Sequence, residues 1–280
     1  MLDQPVSQGE IHRYLADTIY QLGKEEDIYR KLIKEKLPPT GKRVAIVGAG
    51  PAGLTAAFYL VRLGHDVTVY DAMPEAGGIL RYGIPQYRLP QELLQKEIKM
   101  IGRLGVKFKM NRRLGGNLSL DELKKESDAI FLAIGAWKDV ALNIPGEHAK
   151  GVFAGSMLLT GDGRIAVDRF TFRTSDPTIY AGGDAVSGPA TAAEAMGMAK
   201  RAVAAIDRVL MNRERFHLLS REFHYGNEVP KNPKASPKNV ARRLSVRDRV
   251  NNFNEISFGF TGEQARNEVE RCLRCDVRCQ

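Results

Sequence analysis

Residues 44–53 read Val44-Ala-Ile-Val-Gly48-Ala-Gly50-Pro-Ala-Gly53, and this stretch decides the fold. The short apolar, β-branched run predicts a buried parallel strand, and helical spacing of apolar residues over 54–63 predicts a helix directly after the turn. In such a turn Gly48 permits the bend, Gly50 admits a pyrophosphate to the backbone, and Gly53 lets the helix pack on the strand. Because the amino end of the helix, with Pro51 and Ala52, faces the anion, the stretch predicts a dinucleotide site.

A second strand, predicted at 67–70, ends at Asp71, which lies 18 residues after Gly53. A carboxylate at this place accepts hydrogen bonds from both ribose hydroxyls of an adenosine. The same charge repels a 2′-phosphate, so a nucleotide that carries one is disfavoured. The glycines could instead serve only a tight turn, but the strand, turn, helix and acidic residue are all present in order, as a βαβ unit requires.

The rest of the chain alternates between helical and strand patterns, which predicts an α/β fold with a parallel sheet. We expect two amphipathic helices within 9–35, a helix over 90–104, a strand over 106–110, a helical turn over 120–125, a strand over 129–134, a hairpin turn at 161–163, strands over 164–167 and 178–181, and helices over 191–210 and 262–271. This pattern divides the chain into an N-terminal helical segment (1–40), a nucleotide-binding domain (41–210) and an extended, basic C-terminal arm (211–280).

Composition excludes several classes of protein. With 43% hydrophobic residues and 27% charged residues, the 280-residue chain can bury a core and is neither collagenous nor wholly disordered. No apolar run of 18 residues occurs and the first 30 residues are polar, so we expect no membrane span or secretory signal and a cytoplasmic location. Most of the net charge of +9 lies in residues 211–250. Such a basic segment could bind nucleic acid, an anionic membrane surface or an acidic protein partner, or it could bind nothing and be exposed to solvent. We expect no role in nucleic-acid binding.

A second glycine motif narrows the choice of nucleotide. Thr178-Ile-Tyr-Ala-Gly182-Gly-Asp184 resembles the strand, glycine turn and aspartate of flavoproteins that bind two dinucleotides. In those proteins the aspartate binds the ribityl chain or the pyrophosphate of FAD, and the next helix aims its amino end at the flavin ring. Ala133-Ile-Gly135 resembles a short strand-to-loop signature of the same proteins. Asp184 could otherwise be an ordinary turn residue.

One further block is more specific than the glycines. Gly77-Gly-Ile-Leu-Arg-Tyr-Gly-Ile-Pro85, followed by Arg88-Leu-Pro90, resembles the flavin-side loop of the glutamate synthase small-subunit family, and the blocks at 3–7 and 10–13 resemble that family's linker. The family consists of NAD(P)H-dependent FAD and iron–sulfur oxidoreductases, so the resemblance, over about 3–210, implies a Rossmann-like FAD-binding domain of the two-dinucleotide type. It implies FAD contacts at Gly48, Gly50, Pro51, Ala52, Gly53, Asp71, Ala72, Gly78, Leu80, Arg81, Ala133, Ile134, Gly135, Gly183, Asp184, Ala190, Thr191 and Ala192.

The chain departs from that family between Gly151 and Arg164. Family members have a complete second nucleotide-binding domain for NAD(P)H at this point, whereas this sequence has about a dozen residues and no other strand-linked G-x-G-x-x-G. We therefore expect no NAD(P)H domain between about 151 and 164. A natural single-nucleotide version and deliberate removal of the domain both fit the sequence.

All three cysteines, Cys272, Cys275 and Cys279, lie in the last nine residues as C-x-x-C-x-x-x-C. Thiolates at this spacing can ligate one iron–sulfur cluster whose fourth ligand comes from elsewhere. Zinc completed by His217 or His224 is the competing metal site, and free thiols are the third possibility. Relatives of the resembled family carry a similar tail, which favours the cluster.

The leading hypothesis is an FAD-dependent module that passes electrons between a hydride carrier such as NAD(P)H and the iron–sulfur clusters of a larger complex. Its partners would be an iron–sulfur protein or other redox subunits, and NAD(P)H could be bound by such a partner instead of by this chain. No catalytic side chain is expected, because the flavin supplies the chemistry. The alternative is a non-catalytic, FAD-binding assembly subunit. A simple NAD dehydrogenase is disfavoured, since the five histidines are scattered and form no catalytic set.

Overall fold

The computed structural model describes residues 4–136, 164–219, 236–250 and 252–272. The chain forms two compact units. One, here called the terminal unit, comprises Met1–Arg30, Gln86–Arg88 and Glu222–Gln280; the other, the sheet unit, comprises Lys31–Pro85 and Leu89–Arg221. The division predicted from the sequence, with boundaries at 40 and 210, stays a prediction.

A five-stranded parallel sheet organises the sheet unit. Its strands are β1 (Arg43–Val47), β2 (Asp66–Tyr70), β3 (Lys107–Lys109), β4 (Ala129–Leu132) and β5 (Ile179–Ala181), in the order β3-β2-β1-β4-β5. Val44 lies opposite both Val67 and Ala129, so β1 is paired along both edges. Strands β2 and β3 lie on one side of β1, and β4 and β5 lie on the other. The order of the strands therefore reverses between β1 and β4, which leaves a crevice at the carboxyl ends of these two strands. The predicted parallel α/β, Rossmann-like fold is confirmed.

The described helices are α1 (Gln8–Gln21), α2 (Glu25–Lys34), α3 (Pro51–Arg62), α4 (Ile79–Tyr82), α5 (Gln91–Arg103), α6 (Leu120–Glu126), α7 (Asp184–Ser187), α8 (Ala192–Met211), α9 (Val246–Arg249) and α10 (Gly262–Glu270), with a 3-10 turn at Phe216–Leu219. Seven of the ten described helices match predicted ones, and the short helices α4, α7 and α9 were not predicted. Helices α3 and α8 pack against each other, and both bury small residues such as Ala57 and Ala202, which permit a close approach. No helix in the described ranges is both long enough and apolar enough to cross a bilayer.

The structure corrects three local predictions. Residues 164–167 form no strand: the alternation that predicted one places Ile165 and Val167 against the sheet core, and the Ile165 N–H donates to the Ala185 carbonyl. Strand β4 ends at Leu132 instead of 134, and the short helix α4 lies inside the segment 77–85, which was expected to be a flavin-side loop. The predicted hairpin turn at 161–163 lies outside the described residues.

A buried polar cluster fastens α8 to the rest of the sheet unit. His65 Nε2 lies 2.9 Å from Asp207 Oδ1, and its Nδ1 lies 2.9 Å from the Thr40 hydroxyl. Arg215 donates to the same Asp207 oxygen and, at 3.0 Å, to the Leu63 carbonyl. Burial alone would raise the pKa of Asp207, but the hydrogen bonds from His65 and Arg215 outweigh it and lower that pKa.

The terminal unit has a buried carboxylate at its centre. Glu268 of α10 is fully buried and accepts hydrogen bonds from the Ser7 N–H at 2.8 Å, from the Asn239 N–H and Nδ2 at 2.9 Å each, and from Arg271 at 2.7 Å. Burial alone would raise the pKa of Glu268, yet these donors lower it to about 2. One side chain therefore ties together three segments that lie far apart in the sequence.

We predict that Glu268→Gln destabilises the terminal unit by about 3 kcal/mol at neutral pH, because Arg271 loses its buried partner. Since the folded-state pKa of Glu268 lies below the ordinary 4.5, its contribution is complete above that value and is lost as the pH falls toward 2. Hydrogen exchange of the terminal unit between pH 7 and pH 3 measures the difference from wild type, which should shrink at low pH. Glu270→Gln, at an exposed position of the same helix, is the control; a pH-independent difference would contradict the assignment.

Candidate dinucleotide site

A cleft opens at the carboxyl ends of β1 and β4, where the direction of chain progression through the sheet reverses. Its empty volume, counted to the open mouth and including open solvent, is about 750 Å³. The residues that line it come from the first turn, β2, the 77–82 segment, the loop after β4 and the start of α8: Gly48, Gly50, Pro51, Ala52, Asp71, Gly78, Ile79, Ala133, Ile134, Gly135, Ala136, Gly182, Asp184, Pro189, Ala190, Thr191, Ala192 and Ala195.

Two glycines of the first motif are required by packing. Gly48 has φ +108°, and a Cβ there would stand 2.1 Å from the Ala133 carbonyl oxygen; a Cβ on Gly53 would stand 1.8 Å from the Gly48 carbonyl oxygen. Gly50 differs, because its φ of −80° suits any residue and a Cβ there would meet only Gly78 Cα, at 3.8 Å. The chain itself does not require glycine at this position. Because Gly50 has no side chain, a space next to its Cα stays open in the wall of the cleft, and this space is here called the cradle.

The first turn of helix α3 presents backbone N–H groups without helical partners next to this cradle. The helix begins at Gly50 with Pro51 in its first turn, and no side chain caps it. Ala52 and Gly53 belong to the first turn, whose N–H groups have no partner within the helix. Together with the helix dipole they form a site for a phosphate group.

Asp71 is held rigidly at the edge of the cleft. Its Oδ2 accepts from the Ala49 N–H at 2.6 Å and its Oδ1 accepts from the Met73 N–H at 2.8 Å. An ionised carboxylate has about four acceptor positions, so two bonds to the backbone fix its orientation and leave capacity for ligand hydroxyl groups. Ala72, also predicted as a contact, does not line the cleft.

Asp184 brings an unsatisfied oxygen to the opposite wall. Its Oδ1 is buried and, within the described part of the chain, has no hydrogen-bond partner. Burial raises the pKa of Asp184, although the Ala190 N–H acts in the other direction. Gly183, which precedes it, lies behind the wall with φ +70°, and a Cβ there would stand 2.9 Å from Ala52 Cβ. A buried acceptor without a donor is costly, so the site fits a ligand that supplies a hydroxyl.

The amino end of α8 forms the remaining wall. Thr191 caps the helix by accepting from the Glu194 N–H at 3.2 Å, and the Glu194 carboxylate accepts from the Thr191 N–H at 2.9 Å. That N–H lowers the pKa of Glu194. This reciprocal cap fixes the direction of a 20-residue helix; its first residue, Ala192, and Ala190, which precedes the cap, line the cleft.

The flavin-side loop divides into residues that touch the cleft and residues that support it. Gly78 lines the cleft and packs on Gly50, since a Cβ on Gly78 would stand 2.6 Å from Gly50 Cα. Leu80 and Arg81 do not line it. Arg81 donates from Nε to the Ala76 carbonyl at 2.7 Å, from one terminal nitrogen to Glu75 at 3.1 Å, and from the other to Gln95. In this structure Arg81 therefore supports the loop instead of facing a ligand.

Five lining residues were absent from the predicted set: Ile79, Ala136, Gly182, Pro189 and Ala195. Four of them adjoin predicted residues in the sequence, so the motifs could have been read one residue wider. Ala195 lies one helical turn beyond Ala192, and its position follows only from the direction of α8.

The cysteine motif is described only in part. Cys272 is half-buried with a free thiol, and Cys275 and Cys279 lie outside the described residues. Among the residues that the structure describes, no group of three His, Cys, Asp or Glu side chains is arranged as a metal site. Iron–sulfur or zinc ligation at the tail stays a prediction. His217 is described, in the 3-10 turn, and His224 is not.

Comparison with known proteins agrees with this geometry. Residues 42–159 match the family described as pyridine nucleotide-disulphide oxidoreductase. The chain is 37% identical over 149 residues to the glutamate synthase [NADPH] small chain of Escherichia coli, covering 53% of this chain and 30% of that one. It is 46% identical over 108 residues to the NADP(+)-dependent formate dehydrogenase subunit beta of Moorella thermoacetica, covering 39% and 15%. With an NAD-dependent dihydropyrimidine dehydrogenase subunit PreT homolog of Salmonella typhi it shares 36% over 199 residues, covering 70% and 45%.

The chain thus spans less than half the length of these relatives. The matches confirm the resemblance predicted from the flavin-side loop, and they support the oxidoreductase class and FAD as the cofactor. The residues present fit FAD: two helix amino ends for anionic groups, an open cradle at Gly50 and two carboxylates for hydroxyl groups.

We predict that Asp71→Ala weakens FAD retention, because it removes hydrogen bonds to the ribose worth about 1.5–3 kcal/mol each. Asp66→Ala, at the exposed start of the same strand, is the matched control and should retain wild-type flavin. The flavin content of each purified variant, measured after dialysis, tests this. Equal retention in the two variants would remove Asp71 from the site.

We also predict that Gly50→Val abolishes FAD binding while leaving the protein folded. The φ at Gly50 accepts a side chain, and a Cβ there would meet only Gly78 Cα, at an ordinary contact distance of 3.8 Å, so the branched side chain would extend into the cradle. Circular dichroism checks the fold and flavin absorbance checks the binding. A folded Gly50→Val protein that retains a full complement of FAD would contradict the assignment of this space to FAD.

Proposed function

We propose that this chain is an FAD-dependent oxidoreductase module that transfers electrons between a hydride carrier and the iron–sulfur clusters of a larger complex. The observation that carries the proposal is the cleft at the strand-order reversal, into which the amino ends of α3 and α8 both open. Asp71 and the unpartnered oxygen of Asp184 stand on its walls. This arrangement suits a long dinucleotide with a charged centre and hydroxyl groups on both sides.

Each wall has a distinct task in the proposal. The first turn of α3 would hold the pyrophosphate through backbone N–H groups, with Gly50 giving it room. Asp71 would accept the ribose hydroxyls of the adenosine half, in an orientation already set by Ala49 and Met73. Asp184 would accept a hydroxyl of the ribityl chain, and that bond would stabilise its ionised form against the effect of burial.

The redox chemistry needs no acid or base from the chain. When bound, FAD supplies hydride and electron transfer through its isoalloxazine ring. The start of α8, at Ala190 to Ala192, would set the positive end of a helix dipole where negative charge develops on reduction. The apolar side chains that line the cleft, such as Ile79 and Ile134, would exclude water there.

The proposed partners follow from the relatives. Two of the matched proteins are named as subunits and one as a small chain, and all three names specify NADPH, NADP(+) or NAD dependence. Between Gly151 and Arg164 this sequence has too few residues for the second nucleotide-binding domain of the resembled family. We therefore propose that nicotinamide is bound by a partner, and that an iron–sulfur subunit receives or supplies the electrons, with the cysteine tail as a candidate for ligation or contact.

We predict that the purified chain has no saturable NAD(P)H site and that free NADH or NADPH reduces its flavin slowly at most. Hydride transfer requires the nicotinamide within about 3–3.5 Å of the flavin in aligned geometry, and random collision seldom provides that. Dithionite or photoreduction should reduce the flavin fully, and adding the partner subunit should restore fast turnover. Stopped-flow absorbance with NADPH measures the rate.

Fast reduction that saturates with NADPH concentration would contradict the assignment of nicotinamide to a partner. Flavin that neither dithionite nor light reduces would contradict the electron-transfer function itself, and would favour the non-catalytic assembly subunit. The two outcomes are distinguishable because they concern different reductants.

A further inference from the structure

A second cavity lies in the sheet unit along the far half of α8. It is lined by Phe170, Arg201, Ala204, Ala205, Arg208, Glu214, Arg215, Phe216 and His217, and its empty volume, counted to the open mouth, is about 680 Å³. Arg201, the first α8 residue of this cavity, stands six residues after Ala195, the last α8 residue that lines the dinucleotide cleft, and at 1.5 Å per residue the two are about 9 Å apart along the helix. The two cavities are therefore separate sites.

The charges around this cavity do not balance. Three arginines line it and Glu214 is its one acidic residue. Glu214 pairs with Arg208 at 3.6 Å, an exposed contact, and Arg215 pairs with the buried Asp207. Arg201 lies over the Phe172 ring at 5.0 Å, and among the described residues it has no carboxylate partner. The cavity therefore carries positive charge that its own walls do not neutralise.

A buried donor in the wall also lacks an acceptor. The Arg215 side chain is only 6% exposed, and within the described ranges its Nε has no hydrogen-bond partner. Its terminal nitrogen is already used by Asp207 and by the Leu63 carbonyl. An unsatisfied buried guanidinium N–H is costly, and Arg215 is at the same time one of the residues that line the cavity.

Two phenylalanine rings, those of Phe170 and Phe216, also line the cavity. Phe216 forms one wall and packs on Tyr59 with 5.3 Å between ring centroids, with Lys200 over its ring at 5.9 Å. Phe170, at the other side, is 71% exposed. An exposed phenyl ring near Arg201, which has no carboxylate partner among the described residues, suits a flat, electron-poor or anionic group better than an aliphatic one.

We propose that this cavity binds a free nucleotide, with its phosphates on Arg201, Arg208 and Arg215 and its base against Phe170. Arginine side chains bind phosphate oxygens through paired N–H groups, and a planar base can stack on an exposed ring. Even the nearest lining residues of the two cavities on α8, Ala195 and Arg201, are about 9 Å apart along the helix, whereas hydride transfer needs about 3–3.5 Å. The site is thus an accessory nucleotide site and takes no part in the redox step.

The test is a calorimetric titration of the full chain with ATP, with FAD present in excess. Arg201→Ala, an exposed position, should weaken ATP binding by at least about tenfold, and Arg208→Ala should do the same. Arg43→Ala, an exposed arginine at the start of β1, is the control and should leave the affinity unchanged. Inorganic pyrophosphate should bind more weakly than ATP, and Phe170→Ala should remove that difference.

Three results would overturn the proposal: no saturable ATP binding, the same ATP affinity in Arg201→Ala as in wild type, or equal affinity for ATP and pyrophosphate. Displacement of ATP by an acidic peptide with higher affinity would assign the cavity to a protein partner instead. If FAD itself fails to bind, ATP could enter the empty cleft; that binding would respond to Asp71→Ala and not to Arg201→Ala, so the two proposals fail separately.

Discussion

The contact between Gly48 and the loop after β4 is the constraint on which the site depends. A Cβ on Gly48 would stand 2.1 Å from the Ala133 carbonyl oxygen, and one on Gly53 would stand 1.8 Å from the Gly48 carbonyl oxygen. These approaches bring the ends of β1 and β4 and the start of α3 together. Because the chain then leaves β1 and β4 in opposite directions, the crevice between them stays open and the amino end of α3 points into it.

Most of the fold could be predicted because its signals are local. Strand β1, the turn and α3 are encoded in one stretch of sequence, and Asp71 follows from the end of β2. The prediction of a strand at 164–167 was wrong. The side chains of Ile165 and Val167 pack against the sheet core, which explains their alternation with exposed residues, but this segment is not a strand of the sheet. Residues such as Ala195, and the support that Arg81 gives to its loop, depend on the direction of α8 and on contacts with Gln95 across the fold. A sequence pattern contains no information of that kind.

Helix α8 connects the two proposed sites. Its first turn, capped by Thr191 and Glu194, forms a wall of the dinucleotide cleft, and its far half carries Arg201 and Arg208. In the same far half, Asp207 anchors the helix to His65 and Arg215 in the interior. A helix fixed near its carboxyl end by buried charge and at its start by a reciprocal cap is a rigid support, and rigid elements hold ligand groups more precisely than loops do.

The central claim is that the cleft between β1 and β4 holds FAD. The most direct test is the absorbance spectrum of the purified chain, followed by denaturation and chromatographic identification of the released nucleotide. The account predicts a yellow protein that releases FAD. A colourless protein that binds NAD in the same cleft would contradict it.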